Sequence, residues 1–421
     1  MNLSERDKKH IWHPLTQHKT SAPSLAIVKA KGALLWDEEG NEYIDGIASW
    51  YTSMYGHCND LITSRVAKQM QVLDQVVFSG FTHEPAVELS EKLIEILPSN
   101  QQKLFFSDNG STSVEIAIKM ALQYHFNKGE KKVALLAFED GFHGDTFGAM
   151  SVSGLSVYNG PFEGLSLEVY RIETPNGDNN QEVLQQLKNI VSEHAIAGFI
   201  YEPLVQGAAA MKMHDAEGLD LLLRCCKENN VLTIADEVMT GFGKTGRNFA
   251  SEYMETQPDI ICMSKSLTAG VVPMAITSCT QDVFDAFYSD DLAKGLFHGH
   301  TYTANPLACQ AAIAGIELLK STEIQDNIKR IITSHQTFTK RIQGNNKVCN
   351  IRQIGVIFAL DLNIEMERYG NFRNKLFQHF MKRGVFLRPL GNTIYILPPF
   401  IISKDELNKI YKAIEESFSL F

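Results

Sequence analysis

An α/β fold on a mostly parallel sheet is the architecture the sequence predicts, and three observations carry it. Short continuous apolar runs recur at 133–138, 197–201, 231–235 and 260–263, the pattern of strands buried on both faces. Helical patterns stand between these runs from about residue 60 onward, and strands alternating with helices imply a parallel sheet covered on both sides. The chain of 421 residues is 44% hydrophobic and 21% charged, enough to bury such a core in one or two domains.

The elements follow in order. Residues 33–37 and 42–45 read as two strands around the turn Glu38-Glu39-Gly40-Asn41. A helix is predicted over 84–97, opening at Glu84-Pro85 and stopping before Pro98. Lys103-Leu104-Phe105-Phe106 is a strand running into Ser107-Asp108-Asn109-Gly110-Ser111. The helix after it sets Val114, Ala117, Ile118, Ala121 and Leu122 on one face. Beyond Asn305-Pro306 a long helical stretch leads into a C-terminal α+β region. These readings divide the chain into a large domain over 49–305 and a smaller α+β domain built from both termini, 1–48 and 306–421.

Charge and cysteine usage narrow the function classes. Thirty-nine basic against 49 acidic residues leave a formal charge of −10, and no block of like charge suggests a nucleic-acid arm. Seven scattered cysteines without a CxxC pair read as reduced thiols, and no metal site is indicated. Met1 to Lys9 is polar, and no run reaches membrane-spanning length, so a soluble, cytoplasmic protein is expected.

Two strand ends carry the chemistry. The run at 231–235 ends on Asp236, and the run at 260–263 leads to Lys265, with the Gly-rich turn Thr240-Gly241-Phe242-Gly243-Lys244-Thr245-Gly246 between them. Pyridoxal 5'-phosphate (PLP) needs this pair: a lysine to join its aldehyde and a carboxylate to keep its ring nitrogen protonated. A lone lysine at a strand end is ordinarily a snorkelling surface residue, but the partnered Asp236 argues against that. The cofactor's phosphate asks for backbone amides, and Asn109-Gly110-Ser111 offers a helix start directly after a strand. The competing reading there is an ordinary helix cap. Phe142, in Gly141-Phe142-His143-Gly144, suits one face of the cofactor ring, while His143 reads as a structural hydrogen-bonder. Arg388 is one fixed cation in an apolar run, suited to a substrate carboxylate or to a structural ion pair. Trp50-Tyr51 suits an apolar substrate chain, or simply the core.

With these residues in hand, the chain resembles the class III aminotransferases of PLP fold type I, over residues 11 to 399. Within that family it is most similar to the biotin-pathway branch. The motifs are Ile11-Trp12-His13-Pro14, Phe106-Ser107-Asp108-Asn109-Gly110-Ser111, Gly144-Asp145-Thr146-Phe147-Gly148-Ala149-Met150, Gly299-His300-Thr301 with Asn305-Pro306, and Arg388-Pro389 ahead of Ile394-Tyr395. The resemblance implies that Lys265 is the Schiff-base lysine and Asp236 the partner of the ring nitrogen. It implies that Gly110 and Ser111 hold the phosphate, joined by His300 and Thr301 from the other subunit of a homodimer. Trp50, Gly299 and Tyr395 would line the substrate pocket, and Arg388 would bind the substrate carboxylate. The implied reaction moves the α-amino group of S-adenosyl-L-methionine to 8-amino-7-oxononanoate. Two positions depart from the pattern: Leu15 and Phe142 stand where the family usually carries tyrosine, and both belong to the implied substrate pocket. Lysine as donor, or a general ω-amine transaminase, are therefore the alternatives. A non-catalytic scaffold of this fold would be expected to lose Lys265 or Asp236, and this chain keeps both.

Overall fold

A computed structural model describes residues 2–154, 160–364 and 371–421, and within them sixteen strands form four sheets. The N-terminal strands are β1 (Ile27–Lys31), β2 (Leu34–Asp37) and β3 (Glu42–Asp45). The middle of the chain supplies β4 (Gln101–Ser107), β5 (Ala134–Phe138), β6 (Val169–Ile172) and β7 (Ile196–Tyr201), then a small hairpin of β8 (Val205–Gln206) and β9 (Lys212–Met213). It continues with β10 (Leu232–Asp236), β11 (Ile260–Met263) and β12 (Ala275–Thr280). The C-terminal part adds β13 (Val348–Ile354), β14 (Ile357–Leu362), β15 (Val385–Phe386) and β16 (Thr393–Ile396).

The central sheet has seven strands in the order β4-β12-β11-β10-β7-β5-β6. Its pairings are parallel from β11 to β6, and only β12 runs against its neighbours. Every residue of β5, β7 and β10 is buried, which accounts for their apolar runs; the hydroxyl of Thr233 inside β10 donates to Asp259 Oδ2 at 2.8 Å. β12 lacks such a run because its buried hydroxyls are satisfied internally. Thr277 Oγ1 donates to the Ser113 carbonyl at 2.9 Å, and Ser278 Oγ to Gln101 Oε1 at 2.7 Å.

The helix Gly110–Asn127 lies on this sheet, burying Val114, Ala117, Ile118 and Ala121 as its spacing predicts, while Leu122, expected on the same face, is half-buried. Gly198 of β7 lets it approach: a Cβ there would stand 3.2 Å from the Ala121 methyl. The helix expected over 84–97 spans Glu84–Ile94, and the remaining residues turn before Pro98. Pro306–Lys320 is buried on nearly all sides, whereas Thr322–Ile342 buries one stripe of Ile324, Ile328, Ile331, His335, Phe338 and Ile342.

Chain segments far apart in sequence share the second sheet, whose order is β1-β2-β3-β15. β15 joins β3 in parallel, with Val385 opposite Ile44 and Phe386 opposite Asp45. All seven cysteines are free thiols.

Gly355 sits in the tight turn between β13 and β14 at φ +55°, where a Cβ would fall 2.2 Å from the Thr245 carbonyl carbon and 2.3 Å from the Lys244 oxygen. That turn therefore backs directly onto the Gly-rich loop between Asp236 and Lys265. Gly355→Ala is expected to cost about 1–3 kcal/mol from overpacking, read as a fall in the thermal midpoint. Gly344→Ala, at φ +87° with open space around its Cβ, is expected to cost only about 1 kcal/mol.

Candidate active site

Asp236 ends β10 and is paired opposite Cys262 of the parallel β11, three residues before Lys265. Both side chains therefore leave the sheet at its carboxyl edge, where α/β sheets bind their ligands. Asp236 is 3% exposed. Its Oδ2 lies 2.7 Å from His143 Nδ1, and its Oδ1 accepts the Val238 amide at 3.1 Å. His143 is fixed in turn by its own amide, which donates to Ser153 Oγ at 2.9 Å, while its buried Nε2 has no hydrogen-bond partner among the described residues. Lys265 opens a short 3-10 turn with φ +49°. Burial lowers its amine below the ordinary lysine pKa, and the carboxylates of Asp236 and Glu202 pull the other way.

The start of helix Gly110–Asn127 lies at the same edge. Asn109 caps it, Oδ1 accepting the Thr112 amide at 3.1 Å, and Thr112 Oγ1 accepts the Asn109 amide at 3.0 Å in return. The Gly110 and Ser111 amides fall in the first turn, where no intrahelical carbonyl meets them. Two glycines make the close approach possible. A Cβ on Gly110 would stand 2.9 Å from Val238 Cγ1, two residues past Asp236. A Cβ on Gly144, at φ +131°, would stand 2.1 Å from Ser111 Oγ. Phe142 is 44% exposed, and its amide donates to Glu202 Oε1 at 2.9 Å.

A second group of side chains comes from the turn after β3, the segment after β15, and β16. The Arg388 guanidinium lies over the Trp50 ring, 4.7 Å from its centroid, and Lys265 Nζ lies 5.3 Å from the Tyr51 centroid. The Tyr51 and Tyr395 rings are 5.9 Å apart, and burial pushes the Tyr395 hydroxyl up to about 12, so it stays protonated. No ion pair involves Arg388 among the described residues, which removes the structural ion pair as its explanation there. Ala48, Ser49, Trp50 and Tyr51 all have positive φ, from 45° to 72°, so Trp50 is presented by a left-handed turn without a glycine. Such a turn costs about 1–2 kcal/mol per residue and persists only where its surroundings hold it.

Four expected site residues form no hydrogen bond or ring contact with Trp50, Tyr51, Arg388 or Tyr395 among the described residues. Leu15 is 72% exposed on a positive-φ turn, and Gly299 has open space around it. The Thr301 carbonyl accepts Gln75 Nε2 at 2.9 Å, and His300 faces Asp108 at 3.4 Å and His298 at 2.9 Å. The sequence reading passed over Glu202, Val238 and the partner of His143. Glu202 had a usable signal: like Asp236, it follows directly on a continuous apolar strand.

Glu202 is 4% exposed and accepts two amides, Phe142 at 2.9 Å and Gly207 at 3.0 Å. Burial nevertheless pushes its carboxyl up to about 7 from 4.5, with Asp236 adding to the rise and His143 opposing it. The folded protein thus holds this proton more tightly than the unfolded chain. The group's contribution is most favourable at low pH and is lost as pH rises from about 4.5 to about 7. Glu202→Gln is expected to remove a stability slope worth up to roughly 3 kcal/mol across that window. Thermal unfolding at pH 5 and pH 8 checks this, and an unchanged slope would assign it to another group.

A family model described as aminotransferase class III matches residues 16–418. The adenosylmethionine-8-amino-7-oxononanoate aminotransferase of Synechococcus elongatus is 42% identical over 416 residues, 97% of this chain and 98% of that protein. The protein of the same name from Geobacter sulfurreducens is 37% identical over 441 residues, 99% of this chain and 97% of that one. The crystal structure of such an enzyme from Methanocaldococcus jannaschii superposes with a TM-score of 0.92 at 31% identity, covering 98% of each chain. An amine transaminase from an uncultivated Pseudomonas species, solved in a PLP-bound form, gives a TM-score of 0.90 at 27% identity, covering 97% of this chain and 98% of that one. On the match across nearly its whole length, this chain belongs to the class III aminotransferases.

Proposed function

We propose that this chain carries out the aminotransferase step of biotin synthesis, moving the α-amino group of S-adenosyl-L-methionine to 8-amino-7-oxononanoate to give 7,8-diaminononanoate. One geometric observation carries the reading: Asp236 ends β10 and Lys265 follows the adjacent β11, with Tyr51 against the lysine and its neighbour Trp50 against Arg388, which forms no ion pair among the described residues. The names of the full-length relatives supply the two substrates.

The residues fit PLP, which when bound supplies an electron sink and carries the amino group between the two substrates. Asp236, held by His143, would meet the ring nitrogen; the Gly110 and Ser111 amides would hold the phosphate; Phe142 would cover one ring face. Gly110 and Gly144 support this fit, because any side chain there would collide with Val238 or Ser111 and push the helix start away from the strand ends. Lys265 would anchor the group and, once freed, take the proton from the substrate α-carbon at Nζ. Its lowered pKa favours the neutral amine this needs. Arg388 would bind the oxononanoate carboxylate through its planar fork, with Trp50 stacked on it and Tyr395 and Tyr51 behind.

The enzyme works as a homodimer in this reading, with His300 and Thr301 of the partner subunit completing the phosphate site. Tyr288, Leu292, Phe297 and Tyr302, all more than half exposed around that segment, support a covered surface there. No helix among the described residues is long and apolar enough to cross a membrane, and we place the enzyme in the cytoplasm. Lysine as donor is the second reading, favoured by Leu15 and Phe142, neither of which carries the hydroxyl usual in the family.

Formation of 7,8-diaminononanoate from both substrates, followed by mass spectrometry, tests the function. Lys265→Ala is expected to abolish product, and persistent turnover in that variant would sink the assignment. Arg388→Ala is expected to raise KM for the oxononanoate about 10- to 100-fold, the loss of a charge-assisted hydrogen-bonded pair. An equal rise for the donor would mean one carboxylate site shared by both substrates.

A further inference from the structure

Asp45 has no part in the chemistry above, yet it is fully buried and its side-chain bonds all lead to one place. Its Oδ1 accepts the Ile47 amide at 3.2 Å, and its Oδ2 accepts the Ser49 hydroxyl at 2.8 Å. The same Oδ2 lies 2.8 Å from His57 Nε2. Ile47 and Ser49 bracket the entry to the left-handed turn at 48–51, and His57 lies just beyond its exit. His57 is itself tied down by paired backbone bonds with Gly32, at 3.0 and 2.8 Å.

Asp45 is also in register with the arginine. It stands opposite Phe386, two residues before Arg388, and the next amide, of Gly46, donates to the Phe386 carbonyl at 3.0 Å. Gly46 permits this contact, since a Cβ there would lie 2.6 Å from Leu387 Cδ2. The far end of the turn is fastened beside the lysine, where Ser266 Oγ donates to the Tyr51 carbonyl at 2.8 Å. One carboxylate therefore grips a strained turn whose indole lies against Arg388, on a strand that fixes where Arg388 begins.

We propose that Asp45 is a positioning residue for the substrate carboxylate: by clamping the left-handed turn it holds Trp50 against Arg388 and so aims the guanidinium. The inference rests on the assignment of Arg388 to carboxylate binding. Asp45 acts on the affinity for a carboxylate-bearing ligand and leaves proton transfer at Lys265 alone. Glycine adopts positive φ without strain, so a glycine in the turn compensates for a weakened clamp.

Competitive inhibition of the holoenzyme by nonanoate, an aliphatic carboxylate with no amino or keto group, is the test. Trp50 emission, taken as the difference from the matching Trp50→Phe protein, is the second readout. Asp45→Asn is expected to weaken nonanoate about tenfold, with kcat within about twofold of the parent, and to shift the Trp50 emission. Asp45→Asn combined with Ala48→Gly is expected to recover most of that affinity. If Asp45→Asn does not fold, Ser49→Ala carries the test, since it removes a single bond and is expected to weaken nonanoate about threefold. Nonanoate affinity unchanged in these variants but lost in Arg388→Ala overturns the role of Asp45 alone. Affinity retained in Arg388→Ala overturns the carboxylate assignment beneath it. A fall in kcat parallel to the loss of affinity, with no rescue by Ala48→Gly, marks a general structural role and also overturns the proposal.

Discussion

A carboxylate withdrawn from water must find donors inside the protein, because an unpaired buried polar group costs more than most single contacts return. Asp236 meets that requirement with His143 at 2.7 Å and the Val238 amide at 3.1 Å. Much of the architecture follows from this one demand. The imidazole comes from the loop after β5, so β5 and β10 must lie in one sheet, and β7 fills the place between them. The Val238 amide requires the chain to turn at once after the strand, into the Gly-rich loop that returns toward Lys265. The same Val238 side chain abuts Gly110, which brings the helix start over the strand end. A cofactor ring nitrogen, a phosphate and an aldehyde would therefore find their partners on one edge of one sheet.

Much of this was legible in the sequence. Strands buried on both faces write themselves as predominantly apolar runs, so β5, β7, β10 and β11 could be read directly, and with them the Asp236–Lys265 pair at their ends. β12 was hidden because threonine and serine face the interior there and bond to Ser113 and Gln101. Only the fold pairs such hydroxyls. The class III family was legible too, from motifs spread along the whole chain, and the match over residues 16–418 agrees with it.

Contacts between remote segments were not legible. His143 was read as a hydrogen-bonder without its partner, since 93 residues separate it from Asp236. The junction of β3 with β15 places Arg388 beside Trp50, and neither segment announces the other. The left-handed turn at 48–51 was silent for a different reason. Positive φ is normally signalled by glycine, and here alanine, serine, tryptophan and tyrosine take it because tertiary contacts hold them. Local strain imposed by distant residues leaves no trace in local sequence preference.

Two kinds of support therefore meet at this site: a rigid sheet edge that carries Asp236 and Lys265, and a strained turn that carries Trp50. The central claim is that they serve an amino group passing from donor to cofactor and then to acceptor. The measurement that tests it most directly is the donor half-reaction on the PLP-loaded enzyme with no acceptor present. S-adenosyl-L-methionine and lysine are added separately while the cofactor's visible absorbance is followed. The account predicts that S-adenosyl-L-methionine alone bleaches the absorbance in a single turnover and that lysine does not. Bleaching by lysine alone would contradict the donor assignment and make Leu15 and Phe142 marks of a different donor pocket. Bleaching by neither would contradict the reaction itself.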